Sequence, residues 1–162
     1  MSHESRLARE LRTLLHSRRV AALGTLDAAD PAQPFVSMVP YAVWSGGGAL
    51  VVHLSGLAAH TGNLQAQPRA SLLVMAADVA GEPVHALQRV TLDVLAHTPE
   101  RGSADWQAAR STYLDRFPEA EPMTELGDFR FVLLQPQGAR QVAGFGAARS
   151  VDAQELRAAL AA

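Results

Sequence analysis

The sequence predicts an α+β fold: a six- to seven-stranded antiparallel β-barrel with helices around it. Three observations carry this expectation. Short apolar or alternating segments recur along the chain, and most are joined by turns too short for a crossover helix. Helical periodicity is confined to both ends and to two segments between strands, unlike the regular strand–helix alternation of a parallel sheet. A length of 162 residues without cysteine suffices for one disulfide-free core and would be cramped for two.

Each element has its own signature. Leu7, Leu11, Leu14 and Leu15 repeat at helical spacing and predict an amphipathic helix over 4–17. Residues 19–26 read as a strand closed by the Asp27–Pro34 loop. A second strand is predicted over 35–44. Pro40 within it cannot donate to a ladder, so that strand is expected at an edge, bulged, or broken there. Ser45-Gly46-Gly47-Gly48 forms a hairpin loop into a third strand, 49–55, and Gly56–Gln67 has room for two or three helical turns. An apolar strand covers 70–77, and a strand from His85 onward alternates Val90, Leu92, Val94 against Arg89, Thr91, Asp93. Ser103 caps a helix with Trp106, Ala109, Tyr113 and Phe117 on one stripe, ended by Pro118. The last strand pair, 129–134 and 141–146, is expected around Pro136-Gln137-Gly138, and a final helix starts at Asp152 with Glu155 as a capping box.

Composition excludes several classes of chemistry. There is no cysteine and no lysine, so all 14 basic residues are arginine. Thiol nucleophiles, Cys-type zinc sites, Lys Schiff bases and a Walker-type phosphate loop are therefore ruled out. A net charge of −2 and scattered arginines give no footprint for nucleic acid. No apolar run is long enough for a membrane span, and the N-terminus does not resemble a signal peptide, so a cytoplasmic protein is expected. The six histidines, His3, His16, His53, His60, His85 and His97, include no pair at helical ligand spacing, and no metal site is expected. G-x-S-x-G is absent, which removes a nucleophile elbow.

Three stretches carry candidate chemistry. Ser55 to Leu64 leaves a strand and enters a short helix. Free backbone N–H groups there, with Ser55, His60, Thr61 and Asn63, would suit a phosphate or other anion; an ordinary capped helix explains the same residues. Arg89 and Thr91 share a polar strand face, where Arg89 could grip a carboxylate or phosphate or could pair with Asp93. Gly144-Phe145-Gly146 permits close approach by a ligand or subunit, or makes a plain turn.

In order and spacing, Ser37-Met38-Val39-Pro40-Tyr41, Leu54-Ser55, Leu57 to Leu64, Pro68 to Leu73, Arg89-Val90-Thr91-Leu92 and Val142 to Gly146 resemble the FMN-binding split barrels of the pyridoxamine 5'-phosphate oxidase-like superfamily. The resemblance runs over roughly residues 5–148 and is nearest to the haem-utilisation (HugZ-type) branch. It implies one FMN-binding split-barrel domain over 1–162 that forms a homodimer with two FMN sites across its interface. By that likeness Ser55, His60, Thr61 and Asn63 meet the phosphate and ribityl chain, and Arg89 lines the same cavity. The second-strand run from Ser37 to Tyr41, with Ser37, Val39 and Pro40, lies along the flavin ring, and Gly144-Phe145-Gly146 completes the pocket from the other subunit.

The departures narrow what the resemblance implies. Pyridoxamine phosphate oxidases carry basic residues in the second strand and an Arg-Lys pair entering the short helix. Here those places hold Met38 or Val39, Val43, Ala59 and His60, so vitamin B6 oxidation is not expected and the phosphate end must draw on Arg89, Arg69, His60 and backbone dipoles. HugZ-type proteins also supply a haem-ligating histidine from a C-terminal extension, and no histidine follows His97 here, which weighs against haem breakdown. The expected function is that of an FMN-binding flavoprotein, with oxidoreductase action on a small molecule, or a part in haem utilisation, left open together with its small-molecule substrate or electron donor. The alternatives are a non-catalytic flavin or haem carrier and a cofactor-free structural dimer. No side chain stands out as a catalytic acid or base.

Overall fold

Residues 4–161 are described by a computed structural model. Met1, Ser2 and His3, part of the terminus searched for a leader, and the final Ala162 lie outside the described residues. Ser5 Oγ accepts from Ala8 N at 3.1 Å and starts α1 (Arg6–Ser17), which buries Leu11, Leu14 and Leu15. The helix stops where Arg18 turns extended. Its C-terminal carbonyls are gripped by the Arg116 guanidinium, which donates to His16 O at 3.0 Å and Arg18 O at 2.7 Å, a cation placed where the helix dipole is negative.

Eight strands form one antiparallel sheet: β1 (Val20–Leu26), β2 (Pro34–Pro40), β3 (Ala42–Trp44), β4 (Ala49–Ser55), β5 (Arg69–Met75), β6 (Arg89–His97), β7 (Phe129–Val142) and β8 (Ala148–Asp152). Their order is β2-β1-β5-β6-β7-β4-β3, with β8 also on β7. Among them run α2 (Ala59–Ala66), α3 (Ala104–Arg116), the short α4 (Glu121–Thr124) and the C-terminal α5 (Ala153–Ala161). The strands β2 and β3 are the two ends of that order, yet only Tyr41 separates them. The sheet must therefore curl until its edges meet, and the seam is closed by the chain instead of by ladder bonds. Pro40, the last residue of β2, cannot donate across the seam. Tyr41 is fully buried there and its hydroxyl donates to Leu15 O at 2.7 Å.

Two expected boundaries change. The strand expected from His85 starts at Arg89, and His85 sits in a 3₁₀ turn, Val84–Ala86. Pro136-Gln137-Gly138 is not a turn between two strands: β7 runs through it from Phe129 to Val142. Asp93 pairs with Gly138 and Val94 with Pro136, so Gln137 is the extra residue of a β-bulge. A proline without an N–H suits that interruption of the ladder. The turn falls later, at Ala143–Ala147, and leads into β8, which gives the sheet one strand more than expected. Asp152 caps α5, accepting from Glu155 N at 2.8 Å, while the Glu155 carboxylate pairs with Arg149 instead of completing the box.

Inside the barrel, Leu23, Leu50, Leu72, Leu92 and Leu134 form the core, plugged by Leu15 of α1 and Leu156 of α5. A second cluster lies outside: Val51, Phe131 and Leu133 meet Ala109, Tyr113 and Phe117 of α3. Residues 49–54 of β4 are therefore buried on both faces. The opposite wall is different. The outer faces of β2, β1 and β5 are left open, with Val36 68 %, Met38 65 %, Val20 43 % and Met75 38 % exposed. Among the described residues no helix is long and apolar enough to cross a membrane, and no cluster of three or more His, Asp or Glu side chains is arranged to hold a metal.

Candidate functional site

Strand register lays out the open wall. Residues opposed in an antiparallel pair share a face, so one row reads Met38, Ala22, Leu73, Thr91, Arg140, Ser150 and the next Val36, Gly24, Ser71, Asp93, Gly138, Asp152. A third contains Met75, Arg89, Val142 and Ala148. The wall is apolar over β2, β1 and β5 except at Ser71, and from β6 onward it carries Arg89, Thr91, Asp93, Arg140, Ser150 and Asp152 beside Val142 and Ala148. A groove of about 390 Å³ lies over its apolar half, lined by Arg18, Val20, Val36, Ser37, Met38, Leu73 and Met75 among others.

The structure joins Ser37 to His60. Ser37 Oγ and His60 Nδ1 are 2.9 Å apart, a hydrogen bond in which either can be the donor. Burial lowers the His60 pKa below its ordinary value, so the ring is uncharged at neutral pH. It supplies a neutral imidazole with Nδ1 engaged in the first turn of α2, not a fixed positive charge.

Thr61 and Asn63, also expected to meet a ligand, spend their polar atoms on the fold. Thr61 Oγ1 donates to Ser55 O at 2.5 Å. Asn63, 3 % exposed, accepts from Ala28 N at 2.8 Å and donates to Thr25 Oγ1 at 3.0 Å, tying α2 to β1 and the loop after it. Ser55 Oγ accepts from Leu57 N at 3.1 Å and donates to Asp128 Oδ2 at 3.2 Å. The backbone of Gly56 donates to Asp128 O at 2.6 Å, so residues 55–56 dock the approach to β7. The start of α2 receives no side-chain cap.

Val39 is 1 % exposed, with its side chain in the core, and Pro40 stands at the seam. Arg89 makes no ion pair with Asp93 or any other acid among the described residues. Its Nη1 donates to Leu87 O at 2.9 Å and His85 O at 3.4 Å, which holds the guanidinium at the polar boundary of the wall with its charge unneutralised. The turn after β7 lies beside it: a side chain at Gly144 would come within 3.8 Å of Ala86 O. Gly144 and Gly146 have φ of 107° and 71°, which favours glycine, and Phe145 between them is 76 % exposed. Sequence reasoning missed Arg18, Val20 and Met75 as groove residues, whereas Met38 lies within the second-strand run expected along the flavin. The second strand carries apolar residues on both faces, but so does the fourth, so its own pattern does not single out the open wall.

An antiparallel barrel with a chain-closed seam, plugged by helices and open on one wall, defines the split-barrel class. A family model for pyridoxamine 5'-phosphate oxidase matches residues 7–143, and the chain belongs to that family. It is 30 % identical over 154 residues to heme oxygenase HutZ of Vibrio cholerae, covering 94 % of this chain and 85 % of that protein. Over 154 residues it is 32 % identical to the chloroplastic non-canonical heme oxygenase HOZ of Arabidopsis thaliana, covering 91 % of this chain and 45 % of that one. Among solved structures, a heme binding protein from Mycobacterium smegmatis superposes with a TM-score of 0.84 at 33 % identity, over 96 % of this chain and 62 % of the other. HutZ, described there as a heme storage protein, superposes with a TM-score of 0.74 at 29 % identity, over 83 % and 94 %. The chain thus spans less than two thirds of the Arabidopsis and Mycobacterium proteins. These likenesses place it in the HugZ-type branch, among haem-related proteins.

Proposed function

We propose that this chain binds haem in haem utilisation, on its open wall, as a homodimer in which two such walls face one another. One observation carries the reading: the wall is a broad apolar surface bounded by an unneutralised arginine. Haem is a flat apolar macrocycle with carboxylates at one edge. Val20, Val36, Met38 and Met75 match the macrocycle, and Arg89 matches a carboxylate. A second copy would shield the exposed apolar side chains that water does not favour, and Phe145, on its exposed turn, would reach across to it. When bound, haem supplies the iron for redox and oxygen chemistry. The chain supplies binding, an uncharged His60 imidazole and exclusion of water.

FMN is the second reading, favoured by the Ser37–His60 pair at the start of α2. Its phosphate is a dianion, however, and with His60 neutral and Thr61 and Asn63 engaged elsewhere the neutralising donors fall short of what such a group needs. Titrating the purified protein with hemin and, separately, with FMN tests the two readings. A Soret band that saturates at one haem per chain or per dimer, and that weakens at least tenfold in Arg89→Gln, is expected; FMN uptake without a Soret change would replace haem by flavin. Adding a reductant and dioxygen to the haem complex separates turnover, seen as loss of the Soret band, from storage.

A further inference from the structure

We propose that a second cavity on the wall, over β1, β5 and β6, binds a small zwitterion, of which an α-amino acid with an apolar side chain is the simplest case. The cavity has a volume of about 680 Å³ and shares no lining residue with the groove at Ser37. That volume falls within the usual range for small-molecule sites. Arg69 and Asp93 both line it, and neither has an opposite charge within ion-pair distance among the described residues. Ser71 opposes Asp93 and Leu95 opposes Arg69, so the two charges stand diagonally on neighbouring strands, and they form no ion pair with each other. A ligand carrying a carboxylate and an ammonium on one carbon would give each head its partner. Leu26, Pro34 and Leu95 meet its apolar remainder.

The floor is kept open by glycine. Gly24 lies in the row of Ser71 and Asp93, and a Cβ there would be 3.6 Å from Ser71 O, an ordinary contact; its φ is not positive. Neither crowding nor backbone conformation calls for glycine at that position, although glycine weakens a strand. What its hydrogen preserves is the space above it. The bulged Gln137 lines the opposite side. One cation and one carboxylate leave the cavity without net charge, so a phosphate dianion drawn to Arg69 would be repelled by Asp93. The cavity shares the wall, but no lining residue, with the groove assigned to haem.

The test uses the full chain and calorimetry with L-phenylalanine, L-leucine, phenethylamine and 3-phenylpropionate. The amino acids should bind, with the amine and the acid each at least tenfold weaker. Arg69→Gln should abolish the preference over the amine and Asp93→Asn the preference over the acid, a pattern that a merely structural role for these exposed residues would not produce. Gly24→Val should remove binding while the fold survives, read as a circular-dichroism spectrum and melting curve like the parent's. Equal affinity for all four probes, no binding at millimolar concentration, or unaltered binding in Gly24→Val would overturn the proposal. So would a dimer whose dissociation constant rises in Gly24→Val with no probe bound, since the cavity would then be filled by the second copy.

Discussion

Replacing Asn63 by alanine separates a fold-holding role from a ligand-holding one. The side chain is 3 % exposed and makes two hydrogen bonds, from Ala28 N at 2.8 Å and to Thr25 Oγ1 at 3.0 Å. Ala28 is exposed, so its freed N–H can turn to water, at the loss of one net bond of about 1 kcal/mol. Thr25 is buried and keeps only its own long contact to Phe35 O at 3.5 Å, so losing its donor costs about 1–2 kcal/mol. The sum, about 2–3 kcal/mol, corresponds to a melting temperature lower by about 5–10 °C for a domain of this size. Differential scanning calorimetry of the ligand-free protein at fixed concentration measures it. The reasoning is refuted if Asn63→Ala melts within about 1 °C of the parent while losing ligand affinity, because Asn63 would then be a ligand contact and not a tie between α2 and β1.

His53 lies beneath α3 among Phe129, Phe131 and Tyr113, and burial, with Arg101 as the second cause, lowers its pKa from 6.5 to about 4. A folded value below the unfolded one means the stabilisation is complete above pH 6.5 and is lost as pH falls toward 4, by on the order of 3 kcal/mol at the limit. Urea melts of His53→Phe should therefore gain on the parent across that window, and a gap independent of pH would show that His53 does not titrate this way. Gly56→Ala should destabilise by about 1–3 kcal/mol, because its Cβ would lie 2.8 Å from Asp128 O and 2.9 Å from Arg130 Nη2; a melting curve superimposable on the parent's would contradict that close approach. Met38→Asp puts a charge at a position 65 % exposed in the single chain; with two walls facing one another as proposed, light scattering should show a smaller species than the parent while the fold survives, and an unchanged mass would refute that interface.

Much of this architecture is legible locally. The leucine spacing of α1, the Ser103 and Asp152 caps, and the alternation of β6 each rest on contacts within a few residues, and each appears in the fold. Pro40 announced a broken strand, and the break became the barrel seam. Pro136-Gln137-Gly138 misled because turn and bulge use the same residue types. Only β6, pairing on both sides of Gln137, makes it a bulge. The site was half legible for a similar reason. Ser37 and His60 were both candidates, but that they touch is a fact of packing between β2 and α2. The partners that engage Asn63 stand 35 and 38 residues away.

The sequence by itself determined the class of fold, the element types, the absence of thiol and lysine chemistry, and the segments where polar groups gather. These depend on period, capping and composition, which neighbouring residues settle among themselves. Only the tertiary structure decided which apolar strand would be covered. The second and fourth strands both carry apolar residues on two faces, yet α3 closes over Val51 and Phe131 while Val36 and Met38 remain open. Nothing in either strand's own pattern distinguishes them. Burial is set by which distant element packs alongside, and that choice leaves this protein with an open apolar wall.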